Sequence, residues 1–395
     1  MSFLTYPATA EQQELVALAG ELADTFAKRA PDYDWEGRFP EENYDDLRQS
    51  GYLALTVPRE FGGRGASLLD VTLAQERLGQ GCTSTALAVS MHLTNIARLA
   101  EGLTVPSEVF ATICQAVVEE GAMINGALSE PATGSPSRGG RPTTTASRQP
   151  DGSWRITGRK TFTTGSLALQ FFMVSCSIED QAPGLEPLRA DRGSFLVPSN
   201  APGLSIEQTW NSLAMRASGS NDLVLADVHV GPTAWIDQSI PSNPARKERL
   251  GRWTLPVTAV YLGAAQAARN EAIQFARRRR PNSLDRPIAS VPHIQEKAAK
   301  MDLALLQSRA VLFGVAEQFS SDPDSVSASK IGAAKYIVTN HAVEIADLAM
   351  RLVGAASLSL HMPLQRYYRD VRAGLHNPPM DDATLAMLAH EALDA

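Results

Sequence analysis

The amino-acid sequence predicts an α+β chain built as helices, then a small β-rich block, then helices again. Three observations carry this. Apolar residues recur at helical spacing from Thr9 to about residue 120, short β-rich runs occupy residues 121–240, and long helical periodicity returns from Glu248 onward. At 395 residues the chain exceeds what one ordinary core holds. The expected blocks are an N-terminal helical domain over 1–120, a middle β-domain over 121–240 and a C-terminal helical bundle over 241–395.

In chain order, Thr9 and Gln12 form a capping box that starts the first helix. Leu15, Val16, Leu18, Ala19, Leu22, Ala23 and Phe26 make its apolar stripe, and a shorter helix is expected over Glu41 to Ser50. Val57-Pro58-Arg59-Glu60-Phe61-Gly62-Gly63-Arg64-Gly65 then breaks the pattern as a tight turn. It follows no strand and carries no Gly-Lys-Ser/Thr, which argues against a phosphate cradle. Strands are expected at Ala122–Leu128, Ser153–Thr157, Phe171–Ser177, Gly193–Val197 and Leu223–Val230, with loops over Pro136–Pro150 and Gln181–Arg192. Helices follow at 250–280, 291–319 and 325–354, with a shorter one from Asp381 to Leu393. Four such helices suit an antiparallel bundle against which the N-terminal helices bury their stripes.

Composition excludes some functions. A net charge of −7 argues against a general nucleic-acid binder. Cys82, Cys114 and Cys176 lie far apart without a C-x-x-C, so they read as buried thiols, not as a zinc cage or disulfide framework. No metal site is expected. The first residues lack a signal-peptide pattern and no apolar run is long enough to span a membrane, so the expected location is cytoplasmic.

The densest chemistry lies in Leu128-Ser129-Glu130-Pro131-Ala132-Thr133-Gly134-Ser135 and in Ile156-Thr157-Gly158-Arg159-Lys160-Thr161-Phe162-Thr163-Thr164-Gly165. Each pairs a strand with a hydroxyl-rich turn, a surface that offers a flat ring both a stacking partner and short donors. Such hydroxyls also commonly just satisfy strand ends. These segments resemble the flavin-binding signature of the acyl-CoA dehydrogenase family. The resemblance extends to the 57–65 turn, to Trp210-Asn211-Ser212-Leu213-Ala214-Met215-Arg216-Ala217-Ser218 and to Arg369-Asp370, and so spans nearly the whole chain. It implies that family's fold: an all-α N-terminal domain, a central barrel-like β-domain and a C-terminal four-helix bundle.

The resemblance also implies FAD as cofactor. Leu128, Ser129, Phe162, Thr163 and Thr164 would border its ring, with Phe162 where the family usually has tryptophan. Ser135 would lie between the flavin and the acyl carrier, and Arg138, with Arg141, would meet CoA phosphates. In the run Arg277-Arg278-Arg279-Arg280, Arg280, or Arg279 with a shifted loop, would reach the FAD pyrophosphate of a neighbouring subunit. On composition alone that run is equally a solvated helix end. A cross-chain contact implies a homotetramer or homodimer. The family's glycine-rich turn appears as Arg351-Leu352-Val353-Gly354-Ala355-Ala356-Ser357, keeping only Gly354, and Pro292 replaces a frequent glutamine.

The implied activity is α,β-dehydrogenation of an acyl-CoA thioester, as in fatty acid metabolism, with an electron-transferring flavoprotein as acceptor. A carboxylate must then take the α-proton while flavin N5 takes the β-hydride. In this chain the usual glutamate position is Pro378, and an alternative position used in some branches is Trp253. Glu248 and His376 are the remaining candidates for the base; Glu248 also reads as a helix-start acid, His376 as a helix-end partner, and Asp370 as structural. The terminal R-x-x-R-x-x-x-H pattern without E-G-T also resembles the flavin monooxygenases of this fold. Those take reduced FAD or FMN from a partner reductase, use oxygen and need no α-proton base. A non-catalytic flavin- or acyl-CoA-binding scaffold is the third reading.

Overall fold

The computed structural model describes residues 6–101, 105–134, 139–179, 188, 190–236 and 254–393. Helix α1 (Ala10–Glu36) starts at the expected cap, where Thr9 Oγ1 accepts the Gln12 N–H at 3.1 Å and Gln12 Oε1 accepts the Thr9 N–H at 3.4 Å. Leu15, Ala19, Leu22, Ala23 and Phe26 are buried along it; Val16 and Leu18 are partly so. Helix α2 (Glu41–Gln49) follows. The 57–65 segment is the predicted turn, with Gly62 and Gly65 at φ 87° and 59°. Helices α3 (Leu68–Gly79), α4 (Thr83–Ala100) and α5 (Ser107–Glu120) complete this region.

The strands are β1 (Ile124–Ala127), β2 (Thr145–Arg148), β3 (Trp154–Thr163), β4 (Phe171–Glu179), β5 (Arg192–Pro198), β6 (Leu204–Glu207), β7 (Asn221–Val230) and β8 (Trp235–Ile236). They form one sheet in the order β6-β7-β3-β2-β4-β5-β8, with β1 parallel to β4. β1 and β2 follow one another along the same edge of β4, facing Phe171–Val174 and Ser177–Glu179. Trp154, Phe172, Phe195 and Leu223 are fully or almost fully buried, and the Trp154 and Phe195 rings lie 4.8 Å apart. Strands β6 and β8 were not among the expected elements, and two further features differ from the sequence expectation. Strand β2 lies inside the stretch expected to be a loop, and β3 runs six residues past Thr157, to Thr163. Both are polar stretches whose pairing with neighbouring strands, not an apolar run, settles their conformation.

Helices α6 (Thr254–Arg278), α7 (Pro292–Ser321), α8 (Ala328–Val353), α9 (Leu364–Asp370) and α10 (Asp381–Leu393) form the C-terminal region. α6 packs on α8 and also on α3. At the α3 crossing a Cβ on Gly263 would lie 2.2 Å from the Glu76 carbonyl oxygen, and one on Gly79 would lie 2.5 Å from that of Val260. Only glycine permits this backbone-on-backbone approach. α9 was not among the predicted elements, because seven residues give too little periodicity to read. It leads into a 3₁₀ turn, Val371–His376.

All three cysteines are buried and free. Among the described residues no helix is long and apolar enough to cross a membrane, and no group of His, Cys, Asp and Glu could hold a metal ion.

Candidate active site

Ser129 and Thr161 form an antiparallel bridge in which the Thr161 N–H donates to the Ser129 carbonyl at 2.9 Å. That register sets Leu128 opposite Phe162. Leu128 is 38% and Phe162 63% exposed, so the two offer an open apolar face. Phe162 has φ 55° where β3 slips register against β7 between Lys160 and Thr163. A bulky residue held there is strained, and such strain gathers at functional sites. Its ring meets Trp210 edge-on, with centroids 5.7 Å apart and planes at 74°.

Polar groups border this face. Thr163 is fully buried and its hydroxyl has no partner among the described residues. The Thr164 hydroxyl shares a 3.0 Å bond with Ser220, and its carbonyl accepts from Asn125 Nδ2 at 2.9 Å. Asn125 Oδ1 in turn accepts from Asn95 Nδ2 at 3.1 Å, which ties the site to α4. An apolar face, a strained aromatic and an unsatisfied buried hydroxyl suit a flat heteroaromatic ring with polar edges.

Below lies a buried ion pair. Lys160 Nζ donates to Glu130 Oε1 at 2.6 Å, with Glu130 1% and Lys160 0% exposed. Glu130 also accepts from the Thr143 N–H and hydroxyl, both at 2.6 Å, and from the Thr144 N–H at 3.0 Å. Burial alone would raise the Glu130 pKa; Lys160 and these donors outweigh it and hold the carboxylate at about 2. Lys160 further donates to Ser175 at 3.0 Å, and Ser175 to the Leu128 carbonyl at 3.2 Å. The pair therefore fixes the backbone of the exposed face.

A second group of residues is built from the C-terminal segment. Trp210 Nε1 donates to the Met215 carbonyl at 2.8 Å, and the Met215 N–H donates to Asp370 at 2.7 Å. These bonds join the Phe162–Trp210 pair to the start of the 371–378 turn. Asp370 is enclosed, and burial pushes its pKa up to about 6. Arg369 pairs with Asp34 and donates to the Leu213 carbonyl at 2.8 Å. Both members of this Arg–Asp pair therefore hold the fold together. His376 and Pro378 are exposed beyond them.

Of the other candidates, Arg280 is exposed just beyond α6, with Arg279 beside it and Arg277 and Arg278 exposed in the last turn of α6. Gly354 ends α8 at φ 74° and is exposed. Among the described residues no hydrogen bond or ring contact links either Arg280 or Gly354 to the Leu128–Phe162 face. Arg141 donates to the Ser177 hydroxyl at 3.0 Å, and Pro292 opens α7. Ser135, Arg138, Glu248 and Trp253 lie outside the described residues. Sequence reading missed the roles of Lys160, Trp210 and Asn125. None of the three carried a signal of its own: Lys160 stands among Arg159 and Thr161 as one polar strand residue of several.

Three family profiles match the chain in order. These are the acyl-CoA dehydrogenase N-terminal domain over residues 9–101, the middle domain over 125–228 and the C-terminal domain over 246–375. YdbM of Bacillus subtilis (strain 168), whose acyl-CoA dehydrogenase name is itself provisional, is 47% identical over 387 residues, 98% of each chain. The amino sugar nitrososynthase RubN8 of Streptomyces rubradiris is 30% identical over 392 residues, 95% of this chain and 88% of its own. The structure of butyryl-CoA dehydrogenase from Megasphaera elsdenii matches with a TM-score of 0.86 over 100% of both chains at 20% identity, a likeness of fold.

Proposed function

The chain belongs to the acyl-CoA dehydrogenase family, and on that premise we propose that it is a flavin-dependent oxidoreductase serving as the oxygenase of a two-component system. It receives reduced flavin, FMN or FAD, from a reductase and uses dioxygen on a small organic substrate. One oxygen atom enters the substrate, the other leaves as water, and the reduced flavin brings the two electrons.

The observation that carries this reading is how the carboxylates of these motifs are engaged. Asp370 is enclosed and holds the Met215 N–H, Glu130 is bound to Lys160, and the usual base position is Pro378. The titratable side chain that the turn leaves in the open is an imidazole, His376. An imidazole carries both a proton donor and an acceptor nitrogen, which suits it to assist oxygen chemistry. Similarity to a relative named as a nitrososynthase, which forms a nitrogen–oxygen bond, supports the same direction.

When bound, the flavin supplies the redox chemistry. Leu128 and Phe162 give its ring an apolar wall, while Ser129, Thr163 and Thr164 border the edge. Arg280, on the helical bundle, would reach the cofactor of a neighbouring protomer in a homodimer or homotetramer, and the turn at Gly354 would lie near its adenosine half.

Similarity to YdbM favours a second reading, thioester dehydrogenation with Glu248 as base, since residues 246–375 match the family's C-terminal domain. One pair of assays separates the two. The protein loaded with FAD is mixed anaerobically with a panel of acyl-CoA thioesters, and reduced FMN and FAD are titrated separately. The oxygenase reading expects no loss of oxidised-flavin absorbance with any thioester and tighter binding of reduced than of oxidised flavin. Bleaching by a thioester overturns it in favour of the dehydrogenase.

A further inference from the structure

A cavity of about 470 Å³ opens between the last turns of α1, the 213–216 segment and residues 360–369. It shares no lining residue with the Leu128–Phe162 face and does not include His376. Its lining is apolar on one side: Trp35 and Leu213 are each 67% exposed and Leu360 58%. Exposed apolar groups around one hollow mark a binding surface more often than scattered ones do.

The other side carries arginines, and two of the three are spent. Arg369 is paired with Asp34. Arg216 caps the end of α1, donating to the carbonyls of Asp34 at 2.6 Å and Trp35 at 3.3 Å. Arg366 is left. It is 6% exposed, lines the cavity, and has as its single hydrogen bond among the described residues a 3.5 Å contact to the Tyr367 hydroxyl. Its guanidinium also lies 5.1 Å from that ring's centroid. Asp370, four residues on, is turned to the Met215 N–H, and no carboxylate among the described residues forms an ion pair with Arg366. A guanidinium keeps its proton and offers five N–H donors. The nearby Asp370 and Asp34 charges favour its ionised form, yet almost none of its donors is satisfied, and a planar anion completes them through a bidentate bond.

We propose that this cavity binds a small organic carboxylate with an apolar body, its carboxylate on Arg366 and its body between Trp35, Leu213 and Leu360. A carboxylate is favoured over inorganic phosphate because Arg369 and Arg216 are already engaged and the Asp34 carboxylate is also in the lining, which leaves one guanidinium for a monoanion and repels a dianion. Such a ligand would be a substrate or effector that the ring-binding face does not itself select.

Calorimetric titration of the full chain with benzoate, benzamide and inorganic phosphate tests this without flavin or turnover, so it fails or succeeds separately from the oxygenase reading. Benzoate is expected to bind at least about tenfold more tightly than either of the others. Arg366→Gln is expected to abolish the difference between benzoate and benzamide. Leu360→Glu, at an exposed position, is expected to weaken benzoate about tenfold by charge repulsion with the thermal midpoint unchanged. It decides the matter if Arg366→Gln does not fold. Absence of benzoate binding at millimolar concentration, equal binding of benzamide or phosphate, or indifference to Leu360→Glu would each overturn the proposal.

Discussion

The Asn377 side-chain amide donates to the hydroxyl of Tyr261 at 2.5 Å, and this bond fastens the turn that carries His376 to helix α6. Gly374, in the same turn, lies against the same residue: a Cβ there would sit 3.0 Å from the Tyr261 ring and 3.0 Å from the Thr339 methyl. One fully buried tyrosine thus holds the turn at two points.

Tyr261→Phe keeps the ring and removes the acceptor. Its expected cost is about 1 kcal/mol in urea unfolding, the worth of one hydrogen bond. Tyr261→Ala also removes the platform under Gly374 and should cost about 3–5 kcal/mol. Equal losses in the two variants would mean that the ring, not the hydroxyl, contributes nothing.

His376 is exposed, so His376→Ala should leave folding and flavin affinity unchanged. Under the oxygenase reading it should slow product formation by about 10²–10⁴-fold, the usual contribution of a general acid or base. Unchanged turnover with tightly bound flavin would remove His376 from the chemistry.

Glu130→Gln strands the Lys160 ammonium in the interior, and breaking a buried pair from one side costs about 3–5 kcal/mol. Replacing both residues together, as Glu130→Leu with Lys160→Met, should cost much less. The pH sign follows from the depressed Glu130 pKa. Its value falls from 4.5 to about 2 on folding, so its stabilisation is full above 4.5 and is lost as pH falls towards 2. Urea midpoints at neutral and acid pH should converge between wild type and Glu130→Gln.

His92 is fully buried, with Nε2 3.0 Å from the Leu53 carbonyl and Nδ1 accepting from the Ile124 N–H at 3.1 Å. These bonds place the proton on Nε2 and staple α4 to β1. Burial lowers its pKa from 6.5 to about 4, so the folded protein favours the neutral ring. Stability is therefore unaffected above pH 6.5 and falls by roughly 3 kcal/mol as pH drops from 6.5 to 4. His92→Gln should be less stable at pH 7 yet lose this part of the acid slope, measured by urea unfolding at several pH values.

Much of the fold was legible because its signals are local. The Thr9 cap, the 57–65 turn and the long periodic helices each depend on residues a few positions apart, and the structure places them as read. Strand β2 and helix α9 were not legible, being short and polar or short and mixed. The site divides the same way. Leu128, Ser129, Phe162 and Thr164 stood out as two motifs, whereas the Lys160 beneath them read as one more polar residue in a strand.

The sequence by itself determined the order of helical and β-rich regions and the membership of the acyl-CoA dehydrogenase family. Only the tertiary structure decided which charges are free. Asp370 is taken by Met215, 155 residues earlier, Arg369 by Asp34, and Glu130 by Lys160, while Arg366 forms no ion pair among the described residues. The reason is physical: hydrogen bonds and ion pairs inside a low-dielectric interior join residues far apart in the chain, and no pattern of neighbouring letters records which partners the packing brings together.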